Sequence, residues 1–455
     1  MLLCMLFVAL WLAGGGSRAD IMAQVVIRAI AWIVLACALL FGQSPSWNVA
    51  RPVWIFLLAV VALTLLQLVP LPPAVWQALP GRSPFSEAAV VTRQPQPWRP
   101  LAIVPAGAFN TLGSLIVPLT ALVLLTGLSA QDRQRLPGLF LLLIASSTLI
   151  GLLQLSGATY SNPLLNDIPG QISGIFANRN HYALFLSLGC VLAPSWAFFR
   201  PQGVERGQHK LWRAPLAIGL VLVLMLLVLG TGSRAGMLIG ALALAAGVLL
   251  AWRRIGRALR HYPRRWVIAG GVAVAALAVA LVLASVMADR ATSIVRVVAL
   301  DPGQDMRARG LPTVLAMIRT YFPAGTGFGS FDQMFRFHEP FSVLKPSYFN
   351  HAHDDLLEIV LEAGLPGALL LIGALAWWVV AGTKALRLAR AGGDTLPAQG
   401  AIMLLLVAVA SAFDYPGRTP MMMTTIVLAA FWLNFTGKPD ESPSFTPAGR
   451  ASIAA

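Results

Sequence analysis

The sequence predicts an all-α protein, a polytopic bundle of about twelve transmembrane helices with one large loop outside the bilayer. Three observations predict it. Apolar residues make up 57% of the 455-residue chain and charged residues only 11%, with a mean hydropathy of +0.74; a soluble domain carries about 25% charged residues. Apolar runs near the length that crosses a bilayer core as helix recur along the whole chain. Much of the net charge of +15 lies in short links between those runs, where membrane orientation accounts for it. No aromatic-interleaved basic patch or nucleic-acid motif accompanies that charge, so a nucleic-acid partner is not expected.

In chain order, the apolar runs predict spans at 1–16, 21–42, 52–69, 107–128, 137–155, 178–199, 215–231, 235–251, 267–288, 364–382, 397–413 and 421–436. The first, MLLCMLFVALWLAGGG, lacks a basic leader segment. It reads as a short first span, the alternative being upstream sequence with Met22 as the true start. No internal repeat or low-complexity segment divides the chain, and residues 1–455 read as a single integral membrane domain. Cys4, Cys37 and Cys190 each sit in an apolar run without CxxC spacing, and read as buried thiols rather than a disulfide or a zinc site.

The charge distribution tests the span count. Loop 252–266 carries Arg253, Arg254, Arg257, Arg260, Arg264 and Arg265; loop 200–214 carries Arg200, Arg206, Lys210 and Arg213; loop 383–396 carries Lys384, Arg387 and Arg390; and the link after residue 129 holds Arg133 and Arg135. With twelve spans all four fall on one face, which the positive-inside rule makes the cytoplasm. The opposite face receives the Pro-rich loop 70–106, read as irregular coil; loop 156–177; and the long segment 289–363. Within that last segment Gly310–Tyr321 reads as a short amphipathic helix lying along the membrane surface.

Ionisable chemistry gathers on that external face. Segment 289–363 carries Arg290, Arg296, Arg307, Arg309, Arg319, Arg336 and Lys345 against Asp289, Asp301, Asp305, Asp332 and Glu339. Two readings stand: solvated surface charge, since long loops escape the orientation rule, and a site for an anionic ligand, since the guanidinium fork suits phosphate oxygens. Arg309 and Arg319 are the candidates within it. Thr231-Gly232-Ser233-Arg234-Ala235-Gly236 joins two apolar runs with almost no loop. Arg234 is therefore either an interfacial anchor or a ligand cation with glycine-made space beside it.

His351-Ala352-His353-Asp354-Asp355 precedes an apolar run, with Glu358 and Glu362 beyond it. A metal site lacks the further spaced ligands of a defined signature. Asp354 and Asp355 complement a helix N-terminus, and an imidazole suits general-base work near neutral pH. Asn178, Asn180 and His181 open a span on the same face; ordinary capping and a secondary site both fit them. Gly325-Thr326-Gly327-Phe328-Gly329 is a turn, because its spacing is not that of a nucleotide loop and no strand precedes it.

Three blocks carry a resemblance. GIFANRNHYALFLSL (174–188), LGTGSRAGMLIGAL (229–242), and PAGTGFGSF with NHAHDDLLEIVLEAGLPGALLL (323–331 and 350–371) resemble the bacterial O-antigen ligase and Wzy-type polymerase superfamily, which includes bacterial O-oligosaccharyltransferases. The first 170 residues match only in hydropathy. The resemblance implies a GT-C-like, inverting, metal-independent glycosyltransferase with no cofactor, multi-pass in the bacterial inner membrane, acting in lipopolysaccharide or exopolysaccharide biosynthesis. Its site would face the periplasm, in the loop 289–363, and take glycan from an undecaprenyl-pyrophosphate-linked donor. It places His353 at the catalytic position with His351 as neighbour, and Arg234 on the arginine that holds the pyrophosphate. Where the family often has Asn after that histidine, this chain has Asp354.

The acceptor stays open among a growing glycan, lipid A core and a protein hydroxyl, as do the sugar and the oligomeric state. The rival of another class is a flippase for lipid-linked sugars. Transporters favour ionisable groups near the bilayer midplane, whereas polar residues here crowd one face.

Overall fold

The computed structural model describes residues 1–158, 160–166, 168–198, 212–260, 262–287, 306–344 and 349–435. The predicted loop cations Arg200, Arg206 and Lys210, all charges from Asp289 to Asp305, Lys345 and the tail after 435 lie outside the described residues. Among the described residues the protein is 75% helical with almost no strand, and every predicted apolar run falls on a helix.

Helices α1 (Leu2–Ala13), α2 (Met22–Phe41) and α3 (Arg51–Gln67) come first, then two short helices, α4 (Pro73–Gln77) and α5 (Ser83–Val91). Next come α6 (Pro105–Ser114) and α7 (Ile116–Thr126), which together fill the fourth predicted run with a break at Leu115, and α8 (Ala130–Leu155). α9 (Arg179–Ala197), α10 (Arg213–Gly230), α11 (Arg234–Leu259) and α12 (Arg264–Met287) follow; α13 (Met306–Tyr321) and α14 (Phe331–His338) form the outer segment; α15 (Asp355–Arg390), α16 (Leu396–Ser411) and α17 (Pro420–Asn434) close the bundle. Among the described residues eight helical segments are long and apolar enough to cross a membrane, counting α6 and α7 as one.

α9 is the hub of the core. Every residue from His181 to Ala193 is buried, the pattern of a helix surrounded on all sides rather than amphipathic. Small residues admit its neighbours: a Cβ on Gly236 of α11 would stand 2.4 Å from that of Ala183, and one on Gly247 would stand 2.4 Å from the Cys190 carbonyl. α1, shorter than a crossing helix at 12 residues, still sinks Leu6 and Leu10 completely into the main core.

Two elements depart from their expected form. The Pro-rich loop 70–106 is not irregular coil. Pro70–Leu71 (β1) and Arg99–Pro100 (β2) pair antiparallel, with Pro70 opposite Pro100, and α4 and α5 fold between them. The segment is ordered by docking. Arg82, fully buried, donates from Nη2 to the Leu101 carbonyl at 2.8 Å and the Gly325 carbonyl at 3.0 Å, and Trp76 Nε1 donates to the Pro100 carbonyl at 2.8 Å. α15 starts at Asp355, earlier than the predicted run at 364, and Gly364 (φ 57°, ψ −143°) interrupts it. The apolar run therefore began at the break, beyond an acidic helical piece.

That interruption gives the glycine-rich turn its work. The Thr326 N–H donates to the Leu361 carbonyl at 3.0 Å and the Gly327 N–H to the Glu362 carbonyl at 2.8 Å, while the Leu365 N–H returns to the Pro323 carbonyl at 2.9 Å. Carbonyls that a helix end would leave open are thus satisfied. Gly364 allows the approach: a Cβ there would stand 2.1 Å from the Pro323 oxygen.

Links that the twelve-span order puts on one side meet at one end. The Ala177 N–H donates to the Gly15 carbonyl and the Met421 N–H to the Gly14 carbonyl. At the other end Arg253 donates to the Arg390 carbonyl, joining two of the basic loops.

Candidate functional site

The two histidines precede α15, and the sequence shapes their backbone. Asp354 caps the helix, its carboxylate accepting the N–H groups of Leu356 and Leu357 at 3.0 Å each, as expected of an N-cap Asp. His353 before it has φ 54°, a left-handed conformation that a non-glycine residue keeps only where its surroundings impose it.

Two buried carboxylates impose it. Asp414 Oδ1 lies 3.1 Å from His353 Nδ1. Glu358 Oε1 lies 2.8 Å from His351 Nδ1, and its Oε2 accepts the Ala352 N–H at 2.7 Å. Tyr415 fills the space between, with its ring 4.2 Å from that of His351, 4.9 Å from His353 and 5.1 Å from His181.

Asp414 is the meeting point of four chain segments. Its Oδ2 accepts from Asn178 Nδ2 at 3.1 Å, Asn180 Nδ2 at 2.5 Å and Arg307 Nη2 at 3.4 Å, while Oδ1 also accepts the Tyr415 N–H at 3.0 Å. His181 Nε2 stands 3.8 Å away. Burial alone would raise the Asp414 carboxyl. The His353 hydrogen bond, with the neighbouring His181 and Arg307, outweighs burial and holds it well below the usual carboxylate range. The Tyr415 hydroxyl is pushed up to about 12 by burial and by the Asp414 charge; at neutral pH it stays protonated and is no base.

A second cluster supports the first. Asp355, Glu358 and Glu362 recur at helical spacing on one face of α15 and are buried. Arg418 answers all three: Nε is 3.3 Å from Asp355, Nη2 3.2 Å from Glu358 and Nη1 3.0 Å from Glu362. Burial disfavours the guanidinium charge, but the three carboxylates overcome it and hold the proton more tightly than usual. Glu358 belongs to both clusters, so Arg418 acts on the histidine backbone through it.

The structure therefore brings together His353, His351, Asn178, Asn180 and His181, with Asp354 as the helix cap beside them. Arg234 stands at the first turn of α11, capped by Ser233, whose hydroxyl accepts the Gly236 N–H at 2.9 Å. Gly236 packs on Ala183, which puts Arg234 at the same end of the bundle. Arg309 and Arg319 are exposed on α13, and Arg309 donates to the Ser342 carbonyl. The arginine of α13 that reaches Asp414 is Arg307, whose Nη1 also donates to the Phe413 carbonyl at 2.6 Å.

Sequence reasoning missed Asp414, Tyr415 and Arg418, and did not single out Arg307 from its neighbours. The signal for the first three was present: Phe413-Asp414-Tyr415-Pro416-Gly417-Arg418 is a short, charged link between two apolar runs on the external face, the criterion that marked Arg234.

Fold and site define a multi-pass helical membrane protein whose histidines and counter-charges meet at one end of the bundle. Residues 218–372 match the family model described as O-antigen ligase, which supports membership of the O-antigen ligase and Wzy superfamily. At family level this supports glycan transfer of the ligase or polymerase kind, with lipid-linked glycan and an acceptor as substrates. The matched segment holds Arg234, Arg307, His351 and His353; Asn178–His181 and Asp414–Arg418 lie outside it. No curated protein matches the chain.

Proposed function

We propose that the protein transfers glycan from undecaprenyl pyrophosphate to an acceptor sugar hydroxyl at the periplasmic face of the inner membrane, with His353 as general base. The observation that carries this reading is the 3.1 Å contact between His353 Nδ1 and Asp414. An ionised carboxylate only accepts hydrogen bonds, so Nδ1 carries the proton and Nε2 presents its lone pair. Nε2 takes the acceptor proton as that oxygen attacks the anomeric carbon. The bond from that carbon to the pyrophosphate oxygen breaks, the configuration inverts, and the electron pair leaves with the diphosphate.

Diphosphate is a good leaving group, so the protein mainly needs to balance its developing charge. Guanidinium groups do that without a metal. Arg234 is the first candidate, by resemblance and by its place at this end of the bundle, and Arg307 the second, by its contact with Asp414. Arg309 and Arg319, exposed further along α13, fit the outer glycan or diphosphate approach. Asn178, Asn180 and His181 position Asp414. In this scheme Asp354 shapes the backbone and leaves proton transfer to its neighbour.

Arg234→Ala raises the KM for donor, and Arg234→Lys restores only part of the loss, because an ammonium lacks the planar fork; kinetics on lipid-linked donor measure this. An unchanged KM in the alanine variant removes Arg234 from the donor site. Asp414→Asn leaves the fold in place but lowers turnover, since an amide also offers N–H groups and no longer fixes the tautomer. The stabilisation from a depressed carboxyl is fully present above its unfolded value of about 3.9 and disappears as pH falls through the folded one. The melting-temperature gap between wild type and Asp414→Asn is therefore still present at pH 5 and narrows only in stronger acid, below about pH 4. A gap undiminished in stronger acid contradicts the ionised state.

The glycans of a deletion strain test the whole reading. Single repeat units indicate a polymerase, and polymer stranded on its carrier a ligase; lost protein glycosylation points to a protein acceptor. Unaltered surface and protein glycans overturn it.

A further inference from the structure

We propose that Arg28, steadied by Gln24 and Asn110, binds the phosphate of a membrane lipid, in a site separate from the histidines and independent of the transfer reaction. Arg28 lies within the apolar helix Met22–Phe41. Its Nη2 donates to Asn110 Oδ1 at 2.8 Å and to Gln24 Oε1 at 3.1 Å, two neutral oxygens. Its Nε is buried without a hydrogen-bond partner, and no carboxylate pairs with it among the described residues. A guanidinium inside a bilayer is costly unless an anion balances it. The protein supplies geometry here and leaves the negative charge to a ligand.

The surroundings identify the ligand as a lipid. Val25 and Trp32, three residues before and four after Arg28, share its helix face and are both largely exposed, as is Phe109 beside Asn110. That face of α2 therefore looks into the hydrocarbon. The depth is right for a headgroup: Gln24 Nε2 donates to the Gly16 carbonyl at 2.7 Å, in the link before α2, and Arg28 lies one turn further in, about 6 Å along the axis. The next residues of that link, Gly15 and Gly14, bond Ala177 and Met421, so the site opens at the same end of the bundle as the histidines. Phospholipid headgroups and polyprenyl phosphates share the required chemistry.

Native mass spectrometry of the full-length protein tests this with phosphatidylglycerol, undecaprenyl monophosphate, diacylglycerol and inorganic phosphate as separate probes. Wild type retains a phosphate-bearing lipid, and Arg28→Gln weakens that retention by about tenfold or more, the value of a charge-assisted hydrogen bond; diacylglycerol is unaffected. Asn110→Asp supplies an internal counter-charge, which keeps the fold and should expel the lipid phosphate equally. Loss of phosphatidylglycerol alone identifies a phospholipid site, and loss of the polyprenyl phosphate a carrier site. Equal retention of both lipids by wild type and both variants overturns the proposal, as does binding of inorganic phosphate without either lipid.

Discussion

Replacing His353 by alanine lowers turnover of a lipid-linked donor by about 10²–10⁴-fold, the range a positioned general base contributes, while donor binding persists. Among the described residues the imidazole makes one strong polar contact, to Asp414, so its loss leaves the charged cluster of α15 in place and the protein still inserts. The effect falls on kcat because the base acts only as the acceptor proton moves. Single-turnover measurements on purified protein separate this from an effect on binding. Wild-type turnover in the alanine variant removes His353 from the mechanism.

Replacing Arg418 by alanine destabilises the fold by about 3–5 kcal/mol, the usual cost of stranding buried charges by removing their partner. Asp355, Glu358 and Glu362 all pair with this one guanidinium. Activity falls as well, since Glu358 also holds His351 and the Ala352 N–H. Neutralising the three carboxylates in the same chain recovers much of the stability, because an uncharged cluster needs no cation. Thermal unfolding in detergent measures both effects, and an unchanged melting temperature for the single variant refutes the charge-balance argument.

What the sequence disclosed follows from the range of the interactions involved. Hydropathy is local, so each apolar run could be placed on a helix. The HxH pair, the Asn178–His181 segment and Arg234 could be read because unusual residues interrupt apolar runs. Asp414 could not be assigned as the partner of His353, because the two are 61 residues apart and meet only once α15 and α16 have packed. The choice among the α13 arginines was likewise hidden. Positions 307 and 309 are two apart, about 200° around a helix, and only the packed register decides which faces Asp414. Loop 70–106 looked irregular because its order depends on Arg82 reaching Gly325, a contact that no local pattern encodes.

The interruption at Gly364 has a mechanical consequence. The long apolar arm beyond it answers to bilayer thickness, since hydrophobic mismatch is relieved by tilt. The acidic piece before it is fastened instead to Arg418 and to the turn at Thr326 and Gly327. A joint between them lets the arm lean in a thicker or thinner membrane without swinging the imidazoles out of alignment.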